Sequence, residues 1–120
     1  MTALVRIGLA LLLLFGVIAP AGAQAERELQ AVNVNYEGNN VWVPGTYVVK
    51  KGEKVRVKLF NRVKADPNVH GFAIDELNVK VDVYRDKPET VEFVADKAGL
   101  FRIWCHLHPA HLPGQLLVVE

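Results

Sequence analysis

The stretch KVRVKLFNR, residues 54–62, sets Val55, Val57 and Leu59 on one side of an extended chain and Lys54, Arg56 and Lys58 on the other. That period of two describes a β-strand with one face in a core and one in water. The same grain continues from Leu29 to the end. LQAVNVNY (29–36) alternates until EGNN breaks it, and VWVPG and TYVVKKGE give further extended pieces punctuated by Pro44-Gly45 and Gly52. VKADPN reads as a loop, HGFAI as a short strand and NVKVDVY as another alternating one. ETVEFVA and GLFRIWC flank DKAG, and QLLVVE closes the chain. No stretch keeps a helical period for more than a turn or two. Short strands recurring about every ten residues predict an all-β, antiparallel sandwich or barrel.

Residues 1–25 have the layout of an export signal. Arg6 supplies the positive end, IGLALLLLFGVIA (7–19) is an unbroken apolar run, and Ala23-Gln24-Ala25 offers the small-x-small pattern of a cleavage site. The run is too short for the roughly 20 residues of a membrane-spanning helix. The expectation is therefore a periplasmic protein, cleaved after Ala25, with residues 26–120 forming one domain and no stable membrane span left.

Residues 26–120 carry 13 basic and 13 acidic side chains, so they are nearly neutral. That balance points away from nucleic acid or an anionic membrane surface as partner. A small exported domain often adds a disulfide or a metal to a limited core. With Cys105 as the only cysteine, no internal disulfide can form. A bridge between chains, a free thiol and a metal thiolate remain. Of these, only the metal also accounts for what surrounds Cys105.

Those surroundings are WCHLHPAHLPG, residues 104–114. In GLFRIWC, Phe101, Ile103 and Cys105 share one face, so Cys105 extends the core-facing row. His108 follows three residues later and His111 three after that, with Pro109 and Pro113 stiffening the turns. One thiolate and two imidazoles spaced this way can converge on a single ion. His70 is the candidate fourth ligand, because it opens HGFAI at a strand end. His106 should point away from Cys105 as a surface imidazole whose exposed edge serves docking, and Asp75 or Glu76 could supplement the ligand set. Trp42 and Trp104 read as packing residues. A thiolate with imidazoles suits copper or zinc. The affinity order favours copper, and the paired cysteines of structural zinc sites are missing. A nucleophilic Cys-His pair would need a substrate cleft, for which this domain has little room.

At these residues the chain resembles the cupredoxin family. VVKKGEKVRVKLFNR is similar to the strand pair that leads to the first ligand histidine, and HGFAIDELNVKVD to the segment that carries it. ADKAGLFRIWCHLHPAHLPGQLLVVE is most similar to the nitrosocyanin-like red copper members. The resemblance implies a Greek-key β-sandwich holding one copper ion that cycles between Cu(I) and Cu(II), with His70, Cys105, His108 and His111 as metal ligands. It implies one-electron exchange with a redox partner protein, an electron carrier rather than an enzyme. Copper handling, or reaction with nitric oxide at an open coordination position, is the alternative. The chain departs from the family in three ways. Blue copper members place an axial methionine where His111 stands, and residues 26–120 contain none. The dinuclear copper-A centre uses two cysteines. Nitrosocyanin has a glutamate where His70 stands.

Overall fold

A computed structural model describes residues 24–120. The export signal expected over residues 1–25 lies outside the described residues up to position 23. Nine strands account for most of the rest: β1 (Glu26–Tyr36), β2 (Asn39–Val43), β3 (Thr46–Lys50), β4 (Lys54–Asn61), β5 (Val69–Ile74), β6 (Val79–Tyr84), β7 (Glu89–Val94), β8 (Gly99–Ile103) and β9 (Gly114–Val119). A short 3-10 turn, Asp75–Leu77, links β5 to β6. Among the described residues no helix is long and apolar enough to cross a membrane.

The expected all-β sandwich is present. One sheet runs β2-β1-β4-β7 and the other β3-β9-β8, with the β5–β6 hairpin as a third piece. The sheets are mixed: β1 and β4 pair in parallel, as do β3 and β9, while the remaining pairs are antiparallel. The parallel pairs arise because the chain leaves the first sheet after β2, visits the second as β3, and returns as β4 beside β1. EGNN, read as a break, is only half a break. Glu37 and Gly38 make the turn at φ 48° and 83°, whereas Asn39 and Asn40 already belong to β2. Positive φ at both central residues matches the twist of a tight two-residue hairpin.

The alternation in β4 does what its pattern dictates. Val55, Val57 and Leu59 are buried, and they meet Val49 from β3, Phe72 and Ile74 from β5, and Leu116 and Val118 from β9 in one core. Each such side chain contributes about 1.5–3 kcal/mol on leaving water. The opposite row of β4 forms an exposed ladder in which Arg56 reaches Glu92 at 2.6 Å and Glu28 at 3.6 Å. Exposed pairs of this kind add at most about 1 kcal/mol each.

At one end the β5–β6 hairpin ties the two sheets together. Ala73 and Trp104 exchange two backbone hydrogen bonds of 3.0 Å, joining β5 to the end of β8, and Asn61 bridges to Arg85 just after β6. Asn61 reinforces that join, donating to the carbonyls of Asn68 and Val83 and accepting from the Val63 N–H. The chemistry-bearing residues gather here.

Candidate metal centre

His70 sits second in β5, opposite Val83 in β6, with no exposed surface. Cys105 follows β8 by two residues. The alternation of Ile103 and Cys105 turns both side chains inward, and Cys105 is buried. Beyond it the chain makes two successive tight turns: the His108 N–H donates to the Cys105 carbonyl at 3.1 Å, and the His111 N–H to the His108 carbonyl at 3.0 Å. Two three-residue steps bring His108 and His111 back over the thiol, both half-buried.

The three side chains singled out by their spacing and the strand-end His70 therefore meet. One ligand atom from each of His70, Cys105, His108 and His111 lies within 4.8 Å of every other. The three imidazole centroids stand 4.8–5.2 Å apart, with rings tilted rather than stacked. Two metal–ligand bonds of about 2.0–2.3 Å span at most about 4.6 Å, so a few tenths of contraction would close the group on one ion.

The ring nitrogens carry the fit further. Both nitrogens of His70 and the Nδ1 of His111 are buried without a hydrogen-bond partner. An unpartnered buried polar atom costs about 1–3 kcal/mol, and here three such atoms lie in one cluster. Burial pushes the pKa of His70 down to about 4, with the nearby His111, His108 and Arg85 charges adding to the effect. Burial and then His108 lower that of His111 as well. Both rings are thus neutral near pH 7, the form that offers a lone pair to a metal. One soft thiolate among neutral imidazoles is a donor set suited to copper.

Cys105 Sγ is held from both sides. The Gly71 N–H donates to it at 3.1 Å, and His108 Nδ1 stands 3.5 Å away. Gly71 is required as a glycine by its other face, where an added Cβ would lie 2.4 Å from His106 Nδ1. Its carbonyl accepts from the Trp42 indole at 2.8 Å, and Trp42 packs edge-on against Phe72. Trp42 is thus a packing residue as expected, with the added task of anchoring the peptide that touches the sulfur.

His106 differs from expectation. It points away from the four donors, but it is not an exposed imidazole: its side chain is only 9% exposed and bonds Asp82 at 2.8 Å. The missing side chain of Gly71 leaves the gap that the His106 ring fills. Asp75 is engaged elsewhere, accepting from the Trp104 indole at 3.1 Å, while Arg102 lies 4.7 Å over the Trp104 ring. Neither Asp75 nor Glu76 joins the donor group. Two neighbours of the site escaped the sequence reading. Gly71 had a signal, since glycine inside a strand marks close backbone approach. Asn40, 3.3 Å from His111 Nε2, had none, because its role depends on a partner 71 residues away.

A model of the cupredoxin-like domain matches residues 8–118. Over 70 residues, 55% of this chain, the sequence is 40% identical to nitrous-oxide reductase of Cupriavidus necator. Over 76 residues, 60% of this chain, it is 29% identical to nitrous-oxide reductase of Stutzerimonas stutzeri. The chain spans only 11% and 12% of the length of these relatives. Among solved structures, the periplasmic domain of cytochrome oxidase subunit II from Bradyrhizobium japonicum superposes with a TM-score of 0.62 at 21% identity, over 82% of this chain and 87% of that one. Reduced auracyanin from Roseiflexus castenholzii gives a TM-score of 0.62 at 17% identity, over 80% and 99% of the two chains. At such identities the structural likeness is one of fold.

Proposed function

Because this chain belongs to the family of cupredoxin-like domains, we propose that it is an exported mononuclear copper protein that passes single electrons to and from a partner protein. The observation that carries this reading is the convergence of one thiol and three imidazoles within 4.8 Å at one end of a strand-built core. His70, Cys105, His108 and His111 would hold the metal, and bound copper supplies a one-electron couple between Cu(II) and Cu(I).

The chain's own part is to keep its donors still. His70 is locked in the β5–β6 ladder, and Cys105 is fixed through the Ala73–Trp104 bridge and the Gly71 N–H. Donors that barely move between oxidation states keep the barrier to electron exchange low. The Gly71 N–H also stabilises charge on the sulfur, one of the means by which such sites set their potential. His108 and His111 form the half-exposed side, flanked by the exposed Leu107 and Leu112, and that side suits approach by a redox partner. Export rests on the apolar run at 7–19 and the Ala23-Gln24-Ala25 site. Kinship to the nitrosocyanin-like members rests on the ligand loop, where His111 replaces a methionine.

The half-exposure of His108 and His111 also favours a second reading, in which copper is handed on or a small molecule such as nitric oxide binds at an open position. Voltammetry together with paramagnetic resonance on the copper-loaded protein separates the two. A reversible one-electron wave with copper retained in both states supports electron transfer. Release of reduced copper to a chelator, or a spectrum that changes with nitric oxide, sinks it in favour of the second reading.

A further inference from the structure

We propose that Asn40, backed by Asn35, is a positioning residue that selects Nδ1 of His111 as its metal-binding atom and sets the strength of that donor. The inference rests on the reading of His111 as the fourth donor and deepens it. Of the two His111 ring nitrogens, Nε2 lies 3.3 Å from the Asn40 carboxamide, placed with Nδ2 toward the ring, while Nδ1 is buried without a partner. A neutral imidazole that gives its Nδ1 lone pair to a metal must carry its proton on Nε2. That N–H then needs an acceptor, and the Asn40 carboxamide is the group in place.

The asparagine pair can meet this demand without breaking a bond. Asn35 Nδ2 donates to Asn40 Oδ1 at 2.9 Å. The oxygen and nitrogen of an amide are nearly isosteric, so their assignment follows the hydrogen-bond network. Turning both carboxamides over keeps the Asn35–Asn40 bond with donor and acceptor exchanged. It also presents Asn40 Oδ1 to the His111 Nε2–H. Asn35 and Asn40 are direct partners across the β1–β2 ladder, closed by the Glu37–Gly38 turn, which keeps the two carboxamides side by side.

The device acts on one donor only. Both His70 nitrogens lack a hydrogen-bond partner, and His108 directs Nδ1 toward the sulfur. The β1–β2 hairpin thus tunes His111 separately from the other three donors. Outer partners that orient a metal-binding histidine and raise its basicity commonly change metal affinity by about 10- to 100-fold when removed.

The test uses the protein as the cell exports it, at pH 7, with Cu(II) as the probe, and the variants Asn40→Asp, Asn40→Leu, Asn35→Ala and His111→Ala. Nitrogen-15 NMR of the metal-free protein should find His111 as the Nε2–H tautomer; the Nδ1–H tautomer overturns the proposal. Asn40→Asp supplies a stronger acceptor and should lower the reduction potential. Asn40→Leu removes the acceptor and bars water. It should raise the potential and weaken Cu(II) binding by about 10-fold or more. Asn35→Ala should follow Asn40→Leu by a smaller amount. Opposite shifts from Asp and Leu are a signature that a merely structural role would not give. Asn40→Asp and Asn35→Ala also decide the matter if the leucine variant folds poorly. If His111→Ala changes the copper spectrum while neither Asn40 variant moves the potential, this inference alone fails. If His111→Ala is silent too, the fourth-donor reading fails and takes the inference with it.

Discussion

The two halves of the donor cluster are held by different means. His70 and Cys105 are buried: His70 is fixed in the β5–β6 hairpin ladder, and the Ala73–Trp104 bridge ties the chain just before Cys105 to that hairpin. His108 and His111 are half-buried and fixed by two local turns that follow directly from Cys105. The first half belongs to the core of the sandwich, and altering it should disturb the fold or abolish the site. The second half is a short overhang, and altering it should retune the site while leaving the sandwich intact.

The largest effect should follow from Cys105→Ser. A hydroxyl is a poor soft donor, so the intense copper–thiolate absorption should vanish and Cu(II) affinity fall steeply, with the β-structure kept. A serine variant as strongly coloured as the parent would remove the sulfur from the site.

Next comes Gly71→Ala. The new methyl would stand 2.4 Å from the His106 ring, which is hemmed in by its bond to Asp82. Overpacking of this kind costs about 1–3 kcal/mol, a fall in Tm of several degrees for a domain this small. It should also loosen the N–H that meets the sulfur, so the absorption should shift along with the melting point. Unfolding curves with and without copper would test both. An unchanged Tm would mean the His106 ring has room to leave, and the buried half would be softer than its hydrogen bonds imply.

His111→Met probes the overhang. A thioether is a weaker, softer donor than imidazole and favours Cu(I), so the potential should rise and the colour move from red, green or purple toward blue. Tm of the metal-free protein should fall by no more than about 2–4 °C, the shift that about 0.5 kcal/mol makes in a domain this small. A large loss of metal-free stability would erase the distinction between the two halves.

The last effect concerns pH in the metal-free protein. An unfolded chain protonates His70 near 6.5, whereas the folded site resists until about 4 because of burial first and the neighbouring charges second. The unfolded state therefore binds the extra proton in that window. Stability from this group is complete above pH 6.5 and is lost as pH falls toward 4. His70→Gln should flatten that slope in a thermal melt series. His111→Gln, from the overhang, should flatten it too, since burial and then His108 also lower the pKa of that ring.

The comparison also explains what could be read from residues alone. The alternation of Val55, Val57 and Leu59 announces a half-buried strand because the period of two is local. The three-residue steps from Cys105 to His108 and His111 announce convergence because turns are local too. His70 was legible as a strand-end histidine whose partners are supplied by the fold. The parallel pairing of β1 with β4 was not, since it depends on which sheet the intervening β3 joins. Nor was the inward lie of His106, which depends on a gap left by Gly71 on another strand. Local spacing was legible, and long-range complementarity was not.

The return of the ligand loop has one more consequence. Ile103 pairs with Gly114 to close the β8–β9 hairpin, so three of the four donors lie on the single segment between them. Gly114 itself sits against Gly45, where a Cβ would come within 2.8 Å of the Gly45 carbonyl. The segment behaves as a cassette with a keyed socket. Moved whole into another sandwich, residues 104–113 would carry most of the chemistry in one contiguous piece. They would seat only where the host offers a glycine at the hinge, a glycine facing the His106 ring as Gly71 does, and a histidine waiting on the opposite wall. Heritable change can thus rewrite the metal's surroundings by editing one short stretch of coding sequence, while the lock that accepts it stays distributed through the rest of the chain.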